Sequence, residues 1–190
     1  MLRYFEEDKK HVEVTAFKDV RFEDAEKLIK AFRKEKQKDV TIQFFDSKLI
    51  ATWEHLYFAV LNALTAFRTA RNISKNLAME AMLYASAQRQ ISKAIQLIGV
   101  KRGCCENLAV VIIGDKEAAV GAELTRISKR LDKVPDEGVL SLSEDKAQSI
   151  RRAFGISSKE LEAVMGKDNE EEQALVNIII ERMALLSTQL

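Results

Sequence analysis

The stretch from Trp53 to Gly99, WEHLYFAVLNALTAFRTARNISKNLAMEAMLYASAQRQISKAIQLIG, holds two helical patterns back to back, separated only by Thr69-Ala70-Arg71-Asn72-Ile73. In the first, Trp53, Leu56, Tyr57, Val60, Leu64 and Phe67 recur at helical spacing, while Phe58 and Leu61 make the opposite side apolar as well. A helix apolar nearly all round must be covered on two sides. In the second, Ser74 is placed to cap the first turn. Leu77, Ala81, Tyr84, Gln88, Ile91, Ile95 and Ile98 form one stripe, with Gly99 at C′. Glu80, Arg89, Lys93 and Gln96 fall on the other side, where water or a polar partner is expected.

Upstream, Leu2 to Phe5 and His11 to Phe17 read as two short strands joined by the charged turn Glu6 to Lys10. From Phe22 the period changes: Phe22, Ala25, Leu28, Ile29 and Phe32 share a face, as in a surface helix. Val40 to Phe45 reads as a third strand. Downstream, Leu108 to Ile113 is a continuous apolar and β-branched run, the pattern of a strand covered on both faces and the best candidate for the middle of a sheet. A helix is expected from Lys116 to Leu131, an irregular link around Pro135, and a helix from Ser143 to Phe154 with Gly155 past its end. Ser157 and Glu160 match a capping box, with Ile156 and Leu161 at the two positions of a hydrophobic staple. A last helix begins near Asn169. The order of elements predicts an α+β fold, a small mixed sheet packed against several helices in one domain spanning residues 1–190.

The composition excludes more than it selects. Thirty basic and twenty-nine acidic residues leave a net charge of +1, so only a local patch could attract nucleic acid. Cysteine occurs only as the adjacent Cys104 and Cys105, which fits reduced thiols in a cytosol. The N-terminus lacks the order of a signal peptide, and no apolar run approaches the ~20 residues of a membrane span, so a cytoplasmic protein is expected. Catalytic groups are scarce. His11 and His55 have no partner at a telling spacing, and a zinc site on the cysteines would need both histidines from distant elements. Gly114 lacks a glycine-rich loop and precedes Asp115 and Glu117, which would repel phosphate. Glu170 to Glu172 suit a helix N-terminus. No catalytic residue, metal or cofactor is expected.

What remains is a basic cluster, Arg68, Arg71 and Lys75 at the corner between the central helices and Arg89 and Lys93 along the second, with Tyr84 or Trp53 available to stack on a base if exposed. An ordinary solvated face with Tyr84 in the core is the competing account. The C-terminal helix carries Val176, Ile179, Ile180 and Met183 beside Leu175, Ile178 and Leu186, a wider apolar band than one surface helix needs, and Leu185 and Leu190 extend it. That band either meets a partner or is sandwiched within the fold.

The segments Asn62 to Phe67, Arg71 to Leu77, Glu80 to Tyr84, Arg89 to Ile95 and Gly99-Val100, followed by the strand Leu108 to Ile113 and the ending Ile180-Glu181-Arg182-Met183-Ala184, resemble the kinase-binding subunit of the KEOPS tRNA-modification complex, the TPRKB-like family. The resemblance departs at Ala87, where many members are expected to have glycine. It implies an α/β fold without catalysis of its own, binding to the N-lobe of a small kinase-like ATPase, and through it an indirect link to the threonylcarbamoyl-transferase subunit. It also implies contact with the 3′ CCA end of tRNA, in a complex that makes N6-threonylcarbamoyl-adenosine. Arg68, Arg71, Lys75, Arg89 and Lys93 are then the expected RNA-binding residues, and Ile179, Met183, Leu185 and Leu190 the expected partner-binding ones. A stand-alone RNA-binding module, and a small enzyme using His11, His55 or Cys105, are the alternatives.

Overall fold

The computed structural model describes residues 1–35, 39–101, 106–165 and 171–188. Four strands, β1 (Leu2–Phe5), β2 (Lys10–Phe17), β3 (Val40–Asp46) and β4 (Leu108–Gly114), form one sheet in the order β1-β2-β4-β3. All three pairings are antiparallel, so the sheet is simpler than the mixed one expected. β4 lies between β2 and β3, and all of its residues are buried. Ala109, Val111 and Ile113 point into the larger of two cores, Leu108, Val110 and Ile112 into the smaller. Strand alternation therefore feeds two layers from one run of apolar residues.

The smaller core lies under α1 (Phe22–Lys34) and α5 (Glu117–Leu131), which contribute Leu28, Val120 and Ile127. On the other face lie α2 (Trp53–Arg68), α3 (Leu77–Ala85), α4 (Ile91–Ile98), α6 (Glu144–Phe154), α7 (Ser158–Val164) and α8 (Glu171–Leu186). α2 packs against β2, α3 and α8, which satisfies its apolar character all round. Ser157 caps α7 by accepting a hydrogen bond from Glu160 N–H while the Glu160 carboxylate accepts from Ser157 N–H, and the flanking Ile156 and Leu161 are both buried. That is the capping box and staple expected.

The second central helix differs from its expectation, because it is two helices. α3 starts after Asn76, whose Oδ1 accepts from Met79 N–H at 3.1 Å, so Asn76 and not Ser74 is the cap. It stops at Ser86. There Gln88 N–H donates to Leu83 O at 3.0 Å and Ala87 N–H to Tyr84 O at 2.8 Å, with Ala87 at φ 50°, the bond pair of a Schellman motif. α2 ends the same way: Arg71 N–H donates to Ala66 O and Ala70 sits at φ 55°. Glycine is the usual residue in this left-handed position, and among the described residues only α6, with Gly155 at φ 63°, uses it. An Ala-encoded stop leaves no mark in a hydrophobic pattern, so the stripe Leu77 to Ile98 read as continuous.

Replacing Ala87 with glycine removes a Cβ from a left-handed residue at roughly 1 kcal/mol, partly offset by the greater freedom of the unfolded chain. The expected outcome for Ala87→Gly is a higher midpoint in thermal unfolding, by about 1–3 °C. A lower midpoint would mean that the turn is held by something other than its backbone geometry.

Candidate functional site

Of the two histidines, His55 is built into the interior. His55 is fully buried, its Nδ1 accepting from Ala51 N–H at 3.1 Å and its Nε2 lying 2.7 Å from Ala85 O, so the ring is the neutral Nε2–H tautomer. Burial pushes its pKa down to about 4, with the nearby Lys146 charge adding to that direction and the Ala85 hydrogen bond opposing it. His11 lies in β2 with its ring 4.7 Å from that of Tyr4. Asp115 pairs with Lys10 and Glu171 with Arg151, both as local ion pairs. Among the described residues no three His, Cys, Asp or Glu side chains converge as metal ligands. Cys104, Cys105 and Glu170 lie outside the described residues.

Because the folded pKa of His55 is depressed, the unfolded chain binds the extra proton first. The stability His55 contributes is complete above its ordinary 6.5 and is lost as pH falls toward about 4, a change of about 3 kcal/mol. Denaturant unfolding at a series of pH values is expected to show this loss for the native chain and a flatter profile for His55→Gln. Parallel profiles would remove the assignment.

The basic residues divide into two groups at opposite ends of α3, ~14 Å apart for a helix of nine residues. Arg68, Arg71 and Lys75 stand at its start. Arg68 is held by Glu7 at 2.6 Å and Asp8 at 3.3 Å in the β1–β2 turn, whereas Arg71 and Lys75 are exposed and form no ion pair among the described residues. The loop that carries them is fixed from below. Glu80, expected in solvent, is fully buried, and its carboxylate accepts from Ile73 N–H at 3.0 Å and from Ser74 N–H at 2.6 Å. Two charge-assisted bonds replace the water this carboxylate gives up. Asn72 Nδ2 donates to Ser74 O at 2.9 Å and Ser74 Oγ accepts from Asn76 N–H at 3.2 Å, which completes the turn.

Arg89 and Lys93 stand at the other end. Arg89 donates to Leu186 O at 3.3 Å, at the C-terminal end of α8, and Lys93 is exposed on α4. Beside them are two residues that sequence reasoning placed in the core, Ile91 between Arg89 and Lys93 and Ile95 two residues beyond Lys93, which are 45 and 39% exposed one turn apart. The break after α3 turns α4 and brings these side chains out. Tyr84, by contrast, is 2% exposed and is not available for stacking. Trp53 is half-buried, with the Arg3 guanidinium 5.4 Å from its ring centre.

The apolar band on α8 turns inward. Ile179 and Met183 are fully buried in the larger core, because α2, α3, α6 and α7 surround the helix, so neither offers a partner surface. Leu185 is 46% exposed and lines a cavity of about 230 Å³ with Ala87, Leu97, Phe154, Arg182 and Leu186. Leu190 lies outside the described residues. Met183→Glu is accordingly expected to destabilise the chain by at least about 3 kcal/mol, since it would bury an unpaired carboxylate. A melting temperature like that of the native chain would return Met183 to the surface.

The chain is similar along most of its length to known proteins. The family model described as Kinase binding protein CGI-121 matches residues 17–187, from the end of β2 to the end of α8. The Regulatory protein Cgi121 of Methanocaldococcus jannaschii is 34% identical over 114 residues, which cover 60% of this chain and 70% of that protein. With the match spanning both helical layers and β3 and β4, the chain belongs to the CGI-121 family of kinase binding proteins.

Proposed function

We propose that this chain is the non-catalytic, kinase-binding subunit of a KEOPS-type complex in the cytoplasm, holding a small kinase-like ATPase on one surface and the single-stranded 3′ CCA end of tRNA on another, in support of N6-threonylcarbamoyl-adenosine formation. Membership of a kinase-binding family supports the first surface. The observation that carries the second is the exposed pair Ile91 and Ile95, alternating along the chain with the exposed Arg89 and Lys93. Unstacked bases of a single strand need apolar contacts and their phosphates need cations; Arg89, Ile91, Lys93 and Ile95 expose both kinds of side chain around the start of α4. Arg71 and Lys75 extend the positive potential along α3, and Arg68 joins them if its ion pairs open, since exposed pairs of this kind are worth only ~0–1 kcal/mol.

Leu185 is the anchor proposed for the ATPase. It is the one member of the α8 band, among the described residues expected to meet a partner, that reaches solvent, and it stands over a cavity. The described interior supports the absence of chemistry in this subunit: buried His55 and Glu80 hold backbone groups, and buried Glu123 is paired with Arg126.

Two binding titrations test the reading. Arg71→Glu and Ile91→Ala are each expected to weaken tRNA binding, the first with a salt dependence shallower by at least about one phosphate contact and the second with the slope unchanged. Leu185→Glu is expected to cost at least ~2 kcal/mol of ATPase affinity with little change in melting temperature. Undiminished tRNA affinity in both RNA variants, measured on folded protein, would discard the RNA surface; undiminished ATPase affinity in Leu185→Glu would place the partner elsewhere.

A further inference from the structure

The two edges of the sheet are treated differently. β1 is four residues long, carries Arg3 and runs into the charged turn Glu6 to Lys10, devices that stop a sheet edge from pairing further. β3, at the other edge, is seven residues long with the sequence VTIQFFD, an unbroken register against β4, and neither lysine, proline nor bulge. Such an edge is a template for another strand unless something covers it.

Its polarity can be read from the ladder. Ser47 N–H donates to Asn107 O at 3.2 Å in continuation of the β3–β4 register. Hydrogen-bonded pairs alternate along an antiparallel ladder, so Phe45, Gln43 and Thr41 also face β4. The backbone groups of Val40, Ile42 and Phe44 therefore point away from the sheet. One of them is already engaged: the Gln43 side-chain amide donates back to Phe44 O at 2.9 Å, a bond the chain makes to itself where a neighbouring strand would otherwise donate.

A groove of about 680 Å³ follows this edge, and five consecutive residues of β3, Val40 to Phe44, line it. Its walls come from both helical layers, Ile29 and Phe32 of α1 on one side and Leu77, Met79 and Met82 of α3 on the other. Five residues of strand span ~17 Å, with side chains alternating toward the two walls. Methionines give one wall a surface that adapts to different apolar side chains. The charge on the rim is positive: Lys75 is exposed and forms no ion pair among the described residues, while Arg126 is held by Glu35 and Glu123.

We propose that β3 accepts a fifth strand, an extended apolar segment of a partner protein bearing a carboxylate that meets Lys75, paired through the outward backbone groups of Val40, Ile42 and Phe44. An RNA strand fits less well. It would need a row of cations along the groove, whereas the groove offers alternating backbone donors and acceptors and apolar walls. The inference goes beyond the tRNA and ATPase surfaces and does not require either, although Lys75 and Ile95 line this groove and also belong to the proposed RNA surface.

The probe is a displayed library of random nonapeptides selected on the full chain, with the best sequence then synthesised. Expected are peptides that alternate apolar residues with an acidic one and that slow amide exchange at Ile42 and Phe44. N-methylation of alternate peptide nitrogens should reduce affinity at least tenfold, as should Ile42→Pro. Lys75→Glu should weaken the acidic peptide at least fivefold, and exchanging the peptide's acid for lysine should restore binding to that variant. Should Ile42→Pro fail to fold, the N-methylated peptide on the native chain decides the matter. The proposal is overturned if no peptide is enriched, if N-methylated peptides bind as well as their parents, or if an oligoadenylate probe protects the β3 amides and the selected peptides do not.

Discussion

Burial of β4 on both faces is the constraint on which the rest of the structure depends. A strand with Leu108, Val110 and Ile112 on one side and Ala109, Val111 and Ile113 on the other has no solvent face, so it requires neighbours at both edges and a layer of helices above and below. Fully burying side chains of this size is worth ~1.5–3 kcal/mol each, and that gain is realised only when both layers are in place. The chain delivers the layers unequally: α1 and α5 close one face, and six helices crowd the other. α2 is consequently interior, and α8 lies among α2, α3, α6 and α7.

This crowding explains what was legible in the sequence. Where an element's period or cap is unambiguous on its own, as in β2, β4, α2 and α7, its position and type followed from period and capping residues alone. Where two layers meet a helix, amphipathicity no longer tells inside from outside. Ile179 and Met183 read as surplus apolar surface because the sequence does not say that α2, α3, α6 and α7 surround α8. The same blindness affected Glu80, whose charge suggested solvent. Its two bonds to Ile73 and Ser74 N–H depend on a turn between helices that no spacing rule encodes.

The candidate site was legible in its residue types and not in its arrangement. The sequence singles out five basic positions as one cluster, whereas α3 stands between Arg68, Arg71 and Lys75 at one end and Arg89 and Lys93 at the other, and beyond the break at Ala87 Ile91 and Ile95 are exposed. The glycine that the family resemblance leads one to expect at position 87 is the residue that a left-handed backbone at φ 50° favours. A glycine there would have announced the stop. Alanine accepts the same conformation at a modest cost and conceals it, and with it the exposure of Ile91 and Ile95 beside Arg89 and Lys93.

The distribution of charge then separates scaffold from surface. Glu35, Glu123, Arg126 and Arg130 form a network over Phe32, the guanidinium carbons of Arg126 and Arg130 lying 4.1 and 5.2 Å from its ring centre, and the Arg130 hydrogen bond holds the Glu35 carboxyl below its ordinary range. Glu160 and Arg182 join α7 to α8 in a similar way. These charges have found their partners within the chain, so they add little to an external field. Arg71, Lys75 and Lys93 form no ion pair among the described residues, and Arg71 and Lys75 sit on a turn that Glu80 holds fixed. A phosphate meeting those two side chains would encounter cations on a backbone already ordered. The entropy of ordering that loop is then met during folding and not during binding, which favours affinity from few contacts.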